Sequence, residues 1–179
     1  IAVFQLESTG MQSLCRKFGV SRLEDIIALI ALYRPGPMQF LDEFIGRKTG
    51  TIPVDYDVPA MRPILEETYG IMLYQEQVMQ VVQAVAGFSL GNADILRRAM
   101  GKKKMEAMLE QFTKFQQGCR EKGLQDTVIQ NIWDKIIKFA GYGFNKSHSA
   151  AYGLVSYRTA WLKANYPAEF MAAVLTSEL

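Results

Sequence analysis

Gly141-Tyr142-Gly143-Phe144-Asn145-Lys146-Ser147-His148 alternates two glycines with two aromatic residues, then adds an amide, a lysine, a serine and the only histidine of the chain. Glycine lets a backbone come close to a ligand, and aromatic faces can pack on a base or sugar. An apolar-periodic segment follows from Ser149 to about Ala164, so the motif reads as a loop running into a helix start. The free N–H groups of a helix N-terminus attract phosphate, and Lys146 beside them adds a full charge. This chemistry suits a nucleotide or a nucleic-acid backbone. The alternative is a glycine-rich turn whose two rings plug the core, since aromatics are mostly buried hydrophobes.

A second grouping is Arg97-Arg98-Ala99-Met100-Gly101-Lys102-Lys103-Lys104, with five cations and no acid. Like charges so close repel one another unless an anion balances them. A helix ending near Gly101 would gain from one or two cations in its last turn. Phosphate accounts for the rest, because basic clusters are the usual electrostatic footprint of nucleic acid. The arginines suit forked binding of phosphate oxygens and the lysines suit point-charge contact with a backbone.

Other chemistries fail on inventory. One histidine and two distant cysteines, Cys15 and Cys119, cannot build a zinc site, and they suggest no disulfide scaffold. Adjacent acids occur as the pairs Glu24-Asp25, Asp42-Glu43 and Glu66-Glu67, and neighbours on a helix do not share a face. Ser147 and His148 are adjacent and lack an elbow motif, which argues against a hydrolase triad. A net charge of +2 means that any polyanion site is local. No apolar run is long enough to span a bilayer, and no signal peptide is visible. The absence of a start Met leads to the expectation that the chain is processed or cut from a larger protein. Tyr74-Gln75-Glu76-Gln77 reads as a capped, exposed helix start, and Arg47 and Lys48 read as solvated.

The elements that must position these groups are mainly helical. Ile1–Leu6 is a short strand or extended entry. Helices are expected over Ser8–Phe18, capped by Gly19, and from the capping box Ser21-Arg22-Leu23-Glu24 through Ile26, Ile27, Ile30 and Ala31. Arg34-Pro35-Gly36-Pro37 then stops the second helix. Further helices are expected over Gln39–Arg47, Arg62–Thr68, Met72–Ala86 and from Ser89 or Asn92 to Met100. Gly101 breaks the pattern, which resumes over Lys104–Gly118 and Gln125–Phe139. In Ser149–Ala164, residues Ala150, Leu154, Tyr157 and Trp161 are in register. The last helix covers Ala168–Leu175. Lys48–Pro59 is an exposed loop with at most a small hairpin. Single glycines or prolines separate most of the helices.

Val3-Phe4-Gln5-Leu6-Glu7-Ser8, Ile26-Ile27-Ala28-Leu29 through Pro37, Tyr74-Gln75-Glu76-Gln77-Val78-Met79, Leu96–Lys104, Phe139–Ser149 and Trp161–Met171 together resemble, in order, the fingers domain of the bacterial DNA polymerase III α-subunit family, the C-family replicative polymerases. The similarity covers essentially the whole chain. It implies a single multi-helix fingers domain over residues 1–179, with the palm and exonuclease-like regions absent. It implies part of a DNA-directed DNA polymerase, a nucleotidyltransferase of chromosomal replication. Its partners would be template-primer DNA, deoxynucleoside triphosphates, the palm domain of the same chain and other replicase subunits, in the cytoplasm and without a membrane. Mg2+ would serve the full enzyme through palm aspartates, so the fragment alone should be inactive. Arg97, Arg98, Tyr142, Asn145, Lys146, Ser147 and His148 would bind the nucleotide. By its bulk His148 suits opposing a ribose 2′-OH, the alternative being a helix-capping histidine. Lys102, Lys103 and Lys104 would grip DNA. The reading from another class is a stand-alone helical nucleic-acid-binding module without catalysis.

Overall fold

The computed structural model describes residues 2–102, 105–140 and 142–177. Among them are ten α-helices, three short 3-10 turns and no strand. The chain divides into two compact units: Ile1–Leu41 with Lys146–Leu179, and Asp42–Asn145 between them.

The first unit opens with a turn at residues 4–5 instead of a strand. Helix α1 is Thr9–Phe18: the Ser8 side chain accepts from the Met11 N–H, and Gly19 closes it in the left-handed region, as the sequence predicts. Helix α2, Leu23–Leu32, is capped one residue out of the expected frame. Asp25, not Glu24, reaches back, and its carboxylate accepts from Ser21 N–H, Ser21 Oγ and Arg22 N–H at 2.9, 3.2 and 3.3 Å. Ser21 spends its hydroxyl on that carboxylate, so Arg22 becomes the cap position. Every residue from Asp25 to Leu32 is buried, as expected for a helix that is apolar on all sides. It ends at the Arg34-Pro35-Gly36-Pro37 corner, where Arg34 Nε donates to the Ala31 carbonyl at 3.0 Å. Burial there lowers the Arg34 pKa.

In the second unit, α3 spans Leu41–Thr49 and begins in the first, after a 3-10 turn at Pro37–Phe40. Helix α4 is Arg62–Leu65, continued by a 3-10 turn to Thr68. The 51–58 segment is mostly exposed and forms no hairpin. Arg47 is not solvated: its side chain is 12% exposed, pairs with Glu43 and Asp55 at 2.9 and 3.1 Å, and donates to the Tyr69 carbonyl. It thus ties the exposed segment to the end of α4.

Helices α5, Gln75–Ala86, α6, Leu90–Lys102, α7, Met105–Glu121, and α8, Asp126–Ala140, pack on one another. Val78, Val81, Val82 and Val85 of α5, Leu96 of α6, Phe115 of α7 and Ile129, Ile132 and Ile136 of α8 are almost fully buried. Trp133 lies 5.1 and 5.2 Å from the rings of Phe112 and Phe115. Two glycines expected to end helices do not. Gly101 is helical, and α7 runs through Gly118, where an added Cβ would overlap the Ala86 carbonyl oxygen. Gly118 is therefore a point of backbone approach between α7 and α5.

Helix α9, Lys146–Asn165, returns to the first unit and is followed by α10, Pro167–Ser177. Helix α9 starts three residues before the expected Ser149, and its buried face is the reverse of the apolar reading. Ser149, Gly153 and Ser156 are buried, whereas Leu154, Tyr157 and Trp161 are exposed. An added Cβ at Gly153 would lie 2.7 Å from Ile27 Cγ1 and 3.6 Å from the Ile27 backbone. Small side chains let α9 lie close against α2, and the bulky ones are displaced outward.

Candidate functional site

Arg97 and Arg98 lie in the interior of α6, one turn before its end, so helix-end stabilisation does not account for them. The anion that balances them stands just upstream of the basic cluster. Asp94 Oδ1 accepts from Arg97 Nε and Nη2 at 2.9 and 2.6 Å, and its Oδ2 pairs with Arg98 Nε at 2.7 Å. The hydrogen bond from Arg97 is the main reason that the Asp94 carboxyl is held below the usual carboxylate range. A smaller desolvation opposes it, and the charges of Arg97 and Arg98 add to it. Lys102 is the last residue of α6. Lys103, Lys104 and Gly141 lie outside the described residues.

The 142–145 loop is held from the start of α5. Residues Met72–Tyr74 are not helical, contrary to the expected helix, because Tyr74 pairs with Phe144 in a parallel bridge. The Gln75 N–H donates to the Phe144 carbonyl at 2.9 Å, and Gln75 Nε2 donates to the Gly143 carbonyl at 3.0 Å. Gln77 anchors the other side. Its Oε1 accepts from the Leu73 and Tyr74 N–H groups at 2.8 and 3.0 Å, and its Nε2 donates to Thr68 Oγ1 and the Ile64 carbonyl at 2.8 and 3.2 Å. With 4% exposure and four partners, Gln77 is a satisfied buried hub. The Tyr74-Gln75-Glu76-Gln77 stretch, expected to be a capped surface turn, therefore shapes the glycine-aromatic loop.

Within that loop Tyr142 is exposed and Phe144 half-buried. Tyr142 is thus not a core plug. Gly143 has little room, since a Cβ there would lie 3.2 Å from Gln75 Cγ. Asn145 is exposed and ends the second unit.

Lys146, Ser147 and His148 form the first turn of α9, in the first unit. The seven expected nucleotide residues thus divide between the units: Arg97, Arg98, Tyr142 and Asn145 in one, Lys146, Ser147 and His148 in the other. The exposed His148 ring lies 4.1 Å from that of Tyr152, which is 5.2 Å from Phe4. The Phe4 N–H donates to Thr159 Oγ1 at 3.2 Å, laying the N-terminal segment along α9. Among the described residues no three His, Cys, Asp or Glu side chains converge, so these groups do not offer a divalent cation its donor set. Nor is any described helix long and apolar enough to cross a membrane.

Residues 1–123 match the family model described as the bacterial DNA polymerase III alpha subunit finger domain. The chain is 57% identical over 185 aligned residues to DNA polymerase III subunit alpha of Pseudomonas aeruginosa and 56% identical over 185 to that of Escherichia coli strain K12. Each alignment covers 99% of this chain and 16% of the relative. The Campylobacter jejuni protein of the same name is 54% identical over 180 residues, covering 99% of this chain and 15% of the relative. The chain thus spans about one sixth of the length of these curated relatives.

Proposed function

Because the chain belongs to the bacterial DNA polymerase III alpha subunit finger-domain family, we propose that it holds the incoming deoxynucleoside triphosphate and the template-primer DNA for a DNA-directed DNA polymerase of chromosomal replication. The observation that carries this reading is the pair of adjacent guanidiniums on α6, held side by side by one carboxylate. Phosphoryl transfer depends on positioning and on neutralising charge at the leaving pyrophosphate. Arg97 and Arg98 supply two forks for phosphate oxygens. Lys146 adds a charge at the N-terminus of α9, where Ser147 also stands. Tyr142, exposed on a loop whose neighbours are hydrogen-bonded in place, offers a ring to the base or sugar, and Asn145 an amide. His148, its ring tilted against that of Tyr152, opposes a ribose 2′-OH. Lys102, Lys103 and Lys104 hold the DNA backbone. Mg2+ and the bond exchange belong to carboxylates elsewhere in the full-length polymerase, its palm domain among the partners, so this chain alone is inactive.

The test is a full-length polymerase carrying this chain as its fingers, with Arg97→Ala and Arg98→Ala made singly and together. Loss of a charged hydrogen bond costs about 1.5–3 kcal/mol, so each variant raises the KM for deoxynucleotides at least tenfold while template-primer affinity holds. Unchanged KM in the double variant refutes the assignment. If the isolated chain bound DNA tightly and the palm-containing polymerase showed no dependence on these arginines, the non-catalytic binding module would be the better reading.

A further inference from the structure

Asp94 occupies the same N–H groups through which an arginine forks a phosphate. Its two oxygens take Arg97 Nε and Nη2 and Arg98 Nε, at i,i+3 and i,i+4 spacing. Neighbouring turns of α6 therefore create the arrangement, without help from distant elements. The side chains of Asp94, Arg97 and Arg98 are 29, 35 and 68% exposed, so an anion from solvent can reach the guanidiniums. The trio carries one net positive charge where the two arginines alone would carry two.

We infer that Asp94 is a built-in counter-anion which the triphosphate displaces from Arg97 and Arg98, and that it thereby sets nucleotide affinity. This inference rests on the nucleotide-binding reading above. Before binding, the carboxylate keeps two adjacent cations from repelling one another and fixes their side chains next to each other. Exchange replaces one charge-assisted set of hydrogen bonds by another of the same kind, so little is lost when a phosphate enters. Once displaced, Asp94 faces the phosphates as a like charge and weakens the hold on both triphosphate and released pyrophosphate. Neutralising it should tighten both complexes, because part-exposed ion pairs of this kind are each worth up to about a factor of five.

The experiment again uses the full-length polymerase, with Asp94→Asn and Asp94→Glu, each also combined with Arg97→Ala/Arg98→Ala. Steady-state KM for each deoxynucleotide and the inhibition constant of inorganic pyrophosphate are measured at low and high salt. Asp94→Asn is expected to lower both constants by about three- to tenfold, with the gain shrinking as salt screens the charges. Asp94→Glu, which keeps the charge, stays nearer the parent than Asp94→Asn does. In the background lacking both arginines, the gain from Asp94→Asn shrinks to what removing the like charge alone supplies. If Asp94→Asn leaves both constants unchanged or raises them while the arginine variants still raise KM, the counter-anion idea is overturned and the nucleotide reading stands. If the arginine variants leave KM unchanged, both fall.

Discussion

Gly118→Ala isolates a single contact between two helices. Gly118 lies inside α7, and a Cβ there would overlap the carbonyl oxygen of Ala86 and stand 2.9 Å from its carbonyl carbon. Ala86 is the last residue of α5, followed by Gly87 in the left-handed region. The obstacle is therefore fixed backbone, not the end of a side chain that can swing away. Relief requires α5 and α7 to part by about 1 Å, and a gap of that size forfeits a quarter to a half of each dispersion contact across it. Val81, Val82 and Val85 on α5 and Phe115 and Cys119 on α7 are the buried groups exposed to that loss. Overpacking of this kind costs about 1–3 kcal/mol, and the rigid obstacle favours the upper end. Alanine returns about 1 kcal/mol of helix propensity, leaving a net loss of about 2 kcal/mol. For a chain of this size that lowers Tm by about 4–8 °C. Gly101→Ala is the matched control. It makes the same chemical change inside α6, where nothing lies within 4 Å of the added Cβ, and should raise stability by about 0.5–1 kcal/mol. Calorimetry or urea unfolding of the two variants beside the parent decides the matter. Equal stability of Gly118→Ala and Gly101→Ala would falsify the backbone approach between α5 and α7.

Gln77→Leu strips partners from the Leu73 and Tyr74 N–H groups, the Ile64 carbonyl and the Thr68 hydroxyl. It should cost about 3 kcal/mol or more at about 1–3 per buried orphan, and it should raise amide exchange in the 142–145 loop, read by mass spectrometry; unaltered exchange would count against the hub. Burial pushes the Cys119 thiol up to about 11, partly offset by Lys122. Its folded pKa exceeds the unfolded value, so its contribution to stability is full below about pH 8.5 and is lost as pH rises towards 11. Alkylation at pH 8 should be slow until denaturant is added, and equal rates in both states would contradict this burial. His148→Ala in the full-length polymerase should raise the ratio of ribonucleotide to deoxynucleotide incorporation, since its ring, packed against Tyr152, is the proposed obstacle to a 2′-OH; an unchanged ratio removes it from that role.

Helix existence was legible where caps and apolar spacing agreed. Ser8 and Gly19 bracket α1 as their residue types demand, and Pro35 and Gly36 follow the end of α2. Glycine was the less readable signal. At Gly19 and Gly87 it closes a helix, whereas at Gly118 and Gly153 it thins a helix for close packing, and sequence spacing alone does not tell a chain end from a contact. In α9 the deciding pattern was small residues at Ser149, Gly153 and Ser156, invisible to a hydropathy reading that weights Leu154, Tyr157 and Trp161. The arginine pair was visible, but Asp94 fell outside the window of basic residues. An acid three and four positions before two cations is a helical spacing that could have revealed it. Gln75 was hidden for another reason: its Gly143 partner lies 68 residues away, so nothing local marks it as a loop anchor. The capping of the helix start by Gln77 was legible, but its burial and its bonds to Thr68 and Ile64 were not.

The first unit is written in two separated stretches, with the second unit inserted between them. Helix α2 packs against α9, and Tyr33 through Asn145 must be synthesised before α9 begins. At about 5–20 residues per second, the greasy surface of α2 waits on the order of ten seconds on the ribosome for its cover. The inserted unit can condense during that interval, drawing the ends of a long loop together and reducing the entropy lost when α9 finally docks. Nascent-chain capture by chaperones should therefore peak before Lys146 emerges and fall once α9 is clear of the exit tunnel.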